Sequence, residues 1–314
     1  MIFFSVVQLI AGLILFLGGL QAVKDSFYQA AGDKLTTIIR LLTTNVITGI
    51  LTGMVVTMLI QSSSATTVII ISLVNAEVLS LRKALGVIMG ANIGTTVTVQ
   101  LISFSLGQYI GWIIIASLII NIIYWLTKQR LLKYLGRGLL GFSILWIGLE
   151  MLSNIMTYWQ DVEWFIDFLA QLSSNPLLGL LLGILVTATI QSSSALTGLV
   201  VALAKVNLIG LPAAISLTLG SNIGTCITAF LAAMGSSLAA KRTAIMHLLF
   251  NMLGAIVWLP LLPIFTRVVL LTSEQLTRQI ANAHTIFNLV NTGLILGVRD
   301  QFVALVVKVT KNRE

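Results

Sequence analysis

Two hydroxyl-rich tetrapeptides interrupt a chain otherwise poor in polar side chains: Gln61-Ser62-Ser63-Ser64 and Gln191-Ser192-Ser193-Ser194, each followed by an alanine and an apolar run. A serine placed just before a helical run acts as its N-cap. The free N–H groups of the first turn and the helix dipole, about +0.5 charge at the N-terminus, then form an anion site that needs no basic side chain. The hydroxyls of Ser62, Ser63, Ser64, Ser192, Ser193 and Ser194 add donors at the same places. The chemistry this predicts is one small anion held between two tips. A single run of this kind often only caps or packs, so it is the duplication that points to a ligand.

A second pair of motifs follows, Gly90-Ala-Asn92-Ile-Gly94-Thr95 and Gly220-Ser-Asn222-Ile-Gly224-Thr225. These blocks are expected to interrupt the next helix in each half. Freed carbonyls with the Asn and Thr oxygens would form a neutral cage that suits sodium; the alternative is close helix packing through small residues. No Lys or Arg lies in a hairpin arm near its tip, and no Asp or Glu interrupts the motif helices, where a proton-coupled carrier keeps an acid. Glu150 is expected to face the outer water. His247 with Asn251, and His284 with Asn288, stand four apart on one helix face, which suits interhelical hydrogen bonding. Using a serine as an enzyme's nucleophile with either histidine as base would leave that base without an acidic orienter. A channel would need a continuous polar pore, whereas both motif pairs converge on one midpoint.

The elements that must position these residues are membrane helices. Hydrophobic residues make up 57% of the 314 and charged ones 9%, with mean hydropathy +1.03. A soluble domain carries roughly a quarter charged residues, so the net charge of +8 reports topology rather than nucleic-acid binding. The lone Cys226 excludes an internal disulfide framework. The first block has no basic n-region and is long enough to span, which predicts a membrane helix rather than a cleaved signal. Spans are predicted at about 2–23, 82–105, 109–127, 137–157, 210–233, 241–263 and 280–298. The serine motifs fall in segments 45–76 and 176–207, whose arms are too short to span and so read as re-entrant hairpins.

The two serine motifs are 191 − 61 = 130 residues apart, and the two Asn-Ile-Gly-Thr blocks keep the same spacing. Segments 53–74 and 183–204 are identical at 11 of 22 positions, too many for apolar composition alone. Gly12 to Leu20 echoes Gly141 to Leu149 at an offset of 129. Placing the N-terminus outside puts Lys24, Lys34, Arg40, Arg82, Lys83, Lys128, Arg130, Lys133, Arg137, Lys241, Arg242, Arg299, Lys308, Lys311 and Arg313 inside. Only Lys205, Arg267 and Arg278 fall outside, as the positive-inside rule requires. Each repeat then has three crossings, so the second half is inserted upside down. The fold class predicted is an all-α polytopic membrane protein of two inverted repeats, 1–136 and 137–265, followed by a last membrane helix and basic tail at 266–314.

The paired motifs resemble those of the type II sodium-phosphate cotransporters, in Gln61–Ala65, Gln191–Ala195, the Asn-Ile-Gly-Thr blocks, and the stretch from Leu217 through Thr225 to His247–Asn251. The likeness covers nearly the whole membrane portion. It implies a bacterial, multi-pass transporter of the cytoplasmic membrane, not an enzyme, that couples inorganic phosphate to sodium as co-substrate with no organic cofactor. It implies phosphate on the six serines, Ser62 and Ser63 with Ser192 and Ser193 foremost. Sodium falls to Gln61, Asn92, Thr95, Gln191, Ser192, Asn222, Thr225 and Thr228. The chain departs from the pattern at Cys226, which stands where the first repeat has Thr96. Between Ser103 and Tyr109 it also lacks the Asp of some electrogenic members. Another small anion (arsenate, sulfate or a dicarboxylate), export instead of uptake, and a homodimer in the bilayer stay open.

Overall fold

The computed structural model describes residues 2–32, 34–104 and 106–311; Arg313 of the basic tail lies outside them. The described residues form helices and connecting turns, without strands. The first half holds α1 (Ile2–Ala31), α2 (Lys34–Leu42), α3 (Val46–Ile60), α4 (Ser63–Asn75), α5 (Leu81–Ser103) and α6 (Ile110–Thr127). The second holds α7 (Arg130–Trp159), α8 (Glu163–Ser174), α9 (Pro176–Ile190), α10 (Ser193–Lys205), α11 (Leu211–Gly224), α12 (Ile227–Ala233) and α13 (Leu238–Trp258). The chain closes with α14 (Leu262–Leu270), α15 (Leu276–Gly297) and α16 (Arg299–Val309). Among the described residues five helical stretches are long and apolar enough to cross a membrane, and bent pairs raise that to eight. The protein is a multi-pass membrane protein.

The hairpin arms end where the sequence places them. Asn45 caps α3 by accepting from Thr48 N at 3.0 Å, and Asn175, 130 positions on, caps α9 by accepting from Leu178 N at 3.2 Å. At 15 residues each, α3 and α9 are about 22 Å long, short of the roughly 30 Å hydrocarbon core. Four spans differ from expectation, and one of them is α7, which starts at Arg130 rather than 137 and so carries Lys133 and Arg137 on the helix. α1 runs to Ala31 and stops only at Gly32, whose φ of +58° is the left-handed turn that ends a helix. α13 bends by 86° into α14, and α15 by 86° into α16; Pro263 opens the first of these short helices. α8, which the hydropathy pattern does not mark, turns 110° into α9 at Asn175-Pro176, because a proline restricts the residue before it.

The packing repeats with the sequence. A methyl group on Gly53 would collide with the Val87 carbonyl oxygen, and one on Gly183 with that of Leu217. Gly90 stands in the same way against the Ile50 oxygen, and Gly220 against that of Leu180. Each hairpin's first arm is thus pressed backbone to backbone on the following helix, contact that only small residues permit. α1 and α7 pack reciprocally: Gly19 lies against Leu145, and its echo Gly148 lies against Phe16, the echo of Leu145. Gly12 faces Leu152 while Gly141 faces Val23, so the two helices run antiparallel.

Two large apolar cores result, beside a small cluster of Ile71 with Ala229, Ala233, Ala240 and Ala244. One gathers α2 to α5 with Met246, Phe250, Ile295 and Phe302. The other joins Phe16 and Trp146 to α10, α11, α14 and Phe287. α13, from the second repeat, therefore packs in the first core, and α15 contributes to both.

The glycine contacts give a stability test. Gly53→Ala should destabilise the protein by about 1–3 kcal/mol through overpacking, although alanine is the better helix former by about 1 kcal/mol. Gly18→Ala, with no atom within 4 Å of the added methyl, should be neutral or stabilising. Equal melting temperatures in detergent for the two variants would contradict the packing assigned to Gly53.

Candidate functional site

The breaks between α3 and α4 and between α9 and α10 have the same build. Gln61 and Gln191 occupy the left-handed region at φ 53° and 59°. Ser62 and Ser192 follow in extended conformation and cap α4 and α10, accepting from Ala65 N at 3.2 Å and Ala195 N at 3.3 Å. A left-handed residue other than glycine costs about 1–2 kcal/mol, so a glutamine retained there has a use for its side chain. Gln61 shows one. Its carbonyl accepts from Thr98 Oγ1 at 2.6 Å and its amide donates to the Met58 carbonyl. Gln191 is exposed instead.

Both tips line a single cavity of about 260 Å³. Its walls are Gln61 to Ala65, Gln191 to Ser194, Thr95, and one face of α1 carrying Gln21, Lys24, Asp25 and Tyr28. The N-termini of α4 and α10 both face this space. All six motif serines are in it; Ser193 and Ser194 are buried, and Ser62, Ser63, Ser64 and Ser192 half-buried.

The residues expected to hold sodium are divided. Gln61, Thr95, Gln191 and Ser192 line the cavity, whereas Asn92, Asn222, Thr225 and Thr228 do not. The expected interruption at Asn92–Thr95 is absent, a correction to the sequence reading. α5 runs unbroken because the polar side chains bond their own helix: Asn92 donates to Ile88 O at 3.0 Å, Thr95 to Ala91 O at 3.0 Å and Thr96 to Ile93 O at 2.8 Å. Gly94 instead admits the α3 backbone, with Met54 O only 2.7 Å from where a methyl group would sit. The second block does break, between Gly224 and Ile227, where Cys226 N turns to Ile223 O at 3.0 Å. There Thr225 and Thr228 donate to Ser221 O and Thr225 O.

Two features that shape the site escape the sequence reading. Thr98 gives no local signal because its partner lies 37 residues away. Lys24, expected in an inner loop, is instead on α1, and its ammonium donates to Ser192 Oγ at 3.3 Å. The hairpin arms carry no basic residue near their tips, and the basic side chain at the site comes from α1. Gly32 carried the available signal, since a glycine just past a periodic run marks a helix end. Elsewhere, His284 Nε2 pairs with Asn222 Oδ1 at 3.0 Å, and Glu150 is exposed and bonded to Lys205 at 3.0 Å.

The Gln61–Thr98 bond yields a prediction. Thr98→Val strands a buried carbonyl, so it should cost about 1–3 kcal/mol of stability. Thr228→Val, 130 positions on, removes only a local bond to the Thr225 carbonyl three residues back and should cost less. Equal losses in denaturation would overturn this account of Gln61.

Comparison with known proteins agrees with the geometry. The family described as Na+/Pi-cotransporter matches residues 15–154 and 162–297. The chain is 33% identical over 294 residues to the uncharacterized protein YqeW of Bacillus subtilis, covering 94% of each. It is 26% identical over 297 residues to YjbB of Escherichia coli, a protein named for inorganic phosphate export, of which it spans 54%. Over 97 residues it is 41% identical to the human sodium-dependent phosphate transport protein 2B, a stretch that is 29% of this chain and 14% of that protein. No solved structure matches. With the family matching most of its length and both hairpins, the chain belongs to the Na+/Pi cotransporters.

Proposed function

We propose that this protein carries inorganic phosphate across the cell membrane in symport with sodium. The observation that carries the reading is the convergence of both Gln-Ser-Ser-Ser breaks on one polar cavity. Two helix N-termini and six hydroxyls suit a small tetrahedral oxyanion. The neutral oxygens of Gln61, Thr95 and Gln191 beside it suit sodium. Asn222, Thr225 and Thr228 would join a sodium cage only after the helix break at Cys226 rearranges, and Asn92 only if α5 opens.

The repeats are read as inverted, with the N-terminus outside, the C-terminus inside and both hairpins re-entrant. Support comes from the antiparallel α1 and α7 and from polar contacts that pair residues on the same predicted face. Arg82 meets Asp300 at 2.7 Å, Arg242 meets Thr310 at 2.9 Å and Asn75 meets Ser237 at 2.8 Å, all on the inner side. Glu150 with Lys205, and Arg278 with Ser103 at 2.8 Å, pair on the outer side. The cavity is bordered by the exposed Asp25 and Tyr28 near the inner end of α1, so this conformation is read as facing the cytosol. Export is a second reading, favoured by the name of the Escherichia coli relative.

Purified protein in liposomes should accumulate radiolabelled phosphate under an inward sodium gradient, and not when potassium replaces sodium. Uptake driven equally by a proton gradient would exclude sodium coupling, and equal competition by sulfate would exclude phosphate as the substrate. Ser63→Ala and Ser193→Ala should each weaken phosphate binding at least about tenfold, since a hydrogen bond to a charged group is worth roughly 1.5–3 kcal/mol. A silent partner serine would confine the site to one repeat. On a Cys226→Ser background, cysteines at Thr36 and Gln160 should react from opposite sides of the membrane; labelling from one side would end the inverted scheme.

A further inference from the structure

The cavity has a wall that the repeated motifs do not supply. Lys24 reaches it from α1 and donates to Ser192 Oγ at 3.3 Å, and the same oxygen accepts the N–H of Ala195 at 3.3 Å. A serine hydroxyl has two acceptor lone pairs and one proton. With both lone pairs engaged, Ser192 can only donate. A sodium ion needs a lone pair from its ligand, whereas an anion needs the proton.

Among the described residues no carboxylate stands within ion-pair distance of the ammonium; the ion pairs are Arg82 with Asp300 and Lys205 with Glu150. Asp25, the one carboxylate on the cavity wall, takes the amide of Gln21 at 2.8 Å, and its charge acts on Lys24 without touching it. Tyr28 is the other titratable group on that wall. Two helix N-termini and an ammonium that no carboxylate touches thus face one space, with Asp25 the single negative charge on its wall, and the balance favours an anion. The equivalent position in the second half is 24 + 129 = 153, where Ser153 donates to Leu149 O at 2.9 Å. The lysine has no twin.

We propose that Lys24 is a ligand of the transported anion and that it commits Ser192 to the anion rather than to sodium. This rests on the reading of the cavity as the phosphate site. In this arrangement the substrate bridges the ammonium and the Ser192 hydroxyl, and sodium binds on oxygens that Lys24 does not touch.

The test uses full-length protein in lipid nanodiscs and calorimetry with two probes: inorganic phosphate in sodium chloride, and sodium alone without phosphate. Lys24→Gln should lose at least about tenfold in phosphate affinity, the size expected for a charged hydrogen bond, while sodium binding alone is not weakened. Lys24→Arg should restore most of the phosphate affinity. Wild-type phosphate affinity in Lys24→Gln, or parallel losses for phosphate and sodium, would overturn the assignment. Ser63→Ala separates the two levels. If it loses phosphate binding while Lys24→Gln keeps it, the cavity reading stands and the lysine inference falls. If the wild type binds no phosphate, both fall. Should Lys24→Gln not fold, acylation of Lys24 in the wild type decides: phosphate must slow it relative to gluconate at equal ionic strength, and no protection overturns the proposal.

Discussion

Everything in this molecule depends on where backbone hydrogen bonds are allowed to end inside the membrane. An unpaired N–H or C=O in hydrocarbon costs several kcal/mol, so helices break only where something else satisfies them. The chain breaks helices twice at the serine tips, and it gathers both breaks around one polar cavity. Serine is the residue that makes this possible, since one hydroxyl caps a backbone donor and still has a proton to offer. The glutamines before them, held in a left-handed turn, fix the angle at which each second arm departs.

The glycines solve the other half of the problem. A short arm cannot anchor itself across the bilayer, and lipid gives no hydrophobic drive for helices to associate. α3 and α9 are instead fixed by close backbone contact with α5 and α11, through Gly53, Gly90 and Gly94 and their counterparts Gly183, Gly220 and Gly224. The same glycines that read as helix breakers in the second motif are what hold the hairpin against it.

Much of this was legible in the sequence, and the reason is local. Hairpin boundaries depend on Asn45, Asn175 and the serines, all acting within three residues of their own position. The duplicated motifs made the pairing of the tips readable as well. What escaped depends on distance or on competition between two local rules. The Thr98 bond to Gln61 and the reach of Lys24 to Ser192 join residues 37 and 168 apart. The unbroken α5 follows from Asn92, Thr95 and Thr96 directing their hydrogen bonds to their own helix, a choice that residue type alone does not decide. Charge counting also misled at Lys24, because a basic residue near a helix end resembles a loop cation until the true end is recognised.

The reciprocal packing of α1 on α7 carries one more consequence. Gly19 and Gly148 bring the two helices backbone to backbone, and the Leu152 side chain on Gly12 and the Ala22 side chain on Gly141 close the seam to either side. Such a seam holds α1 and α7 together as one piece. Whatever moves α7 therefore also moves α1, and with it the wall of the cavity that carries Gln21, Lys24, Asp25 and Tyr28.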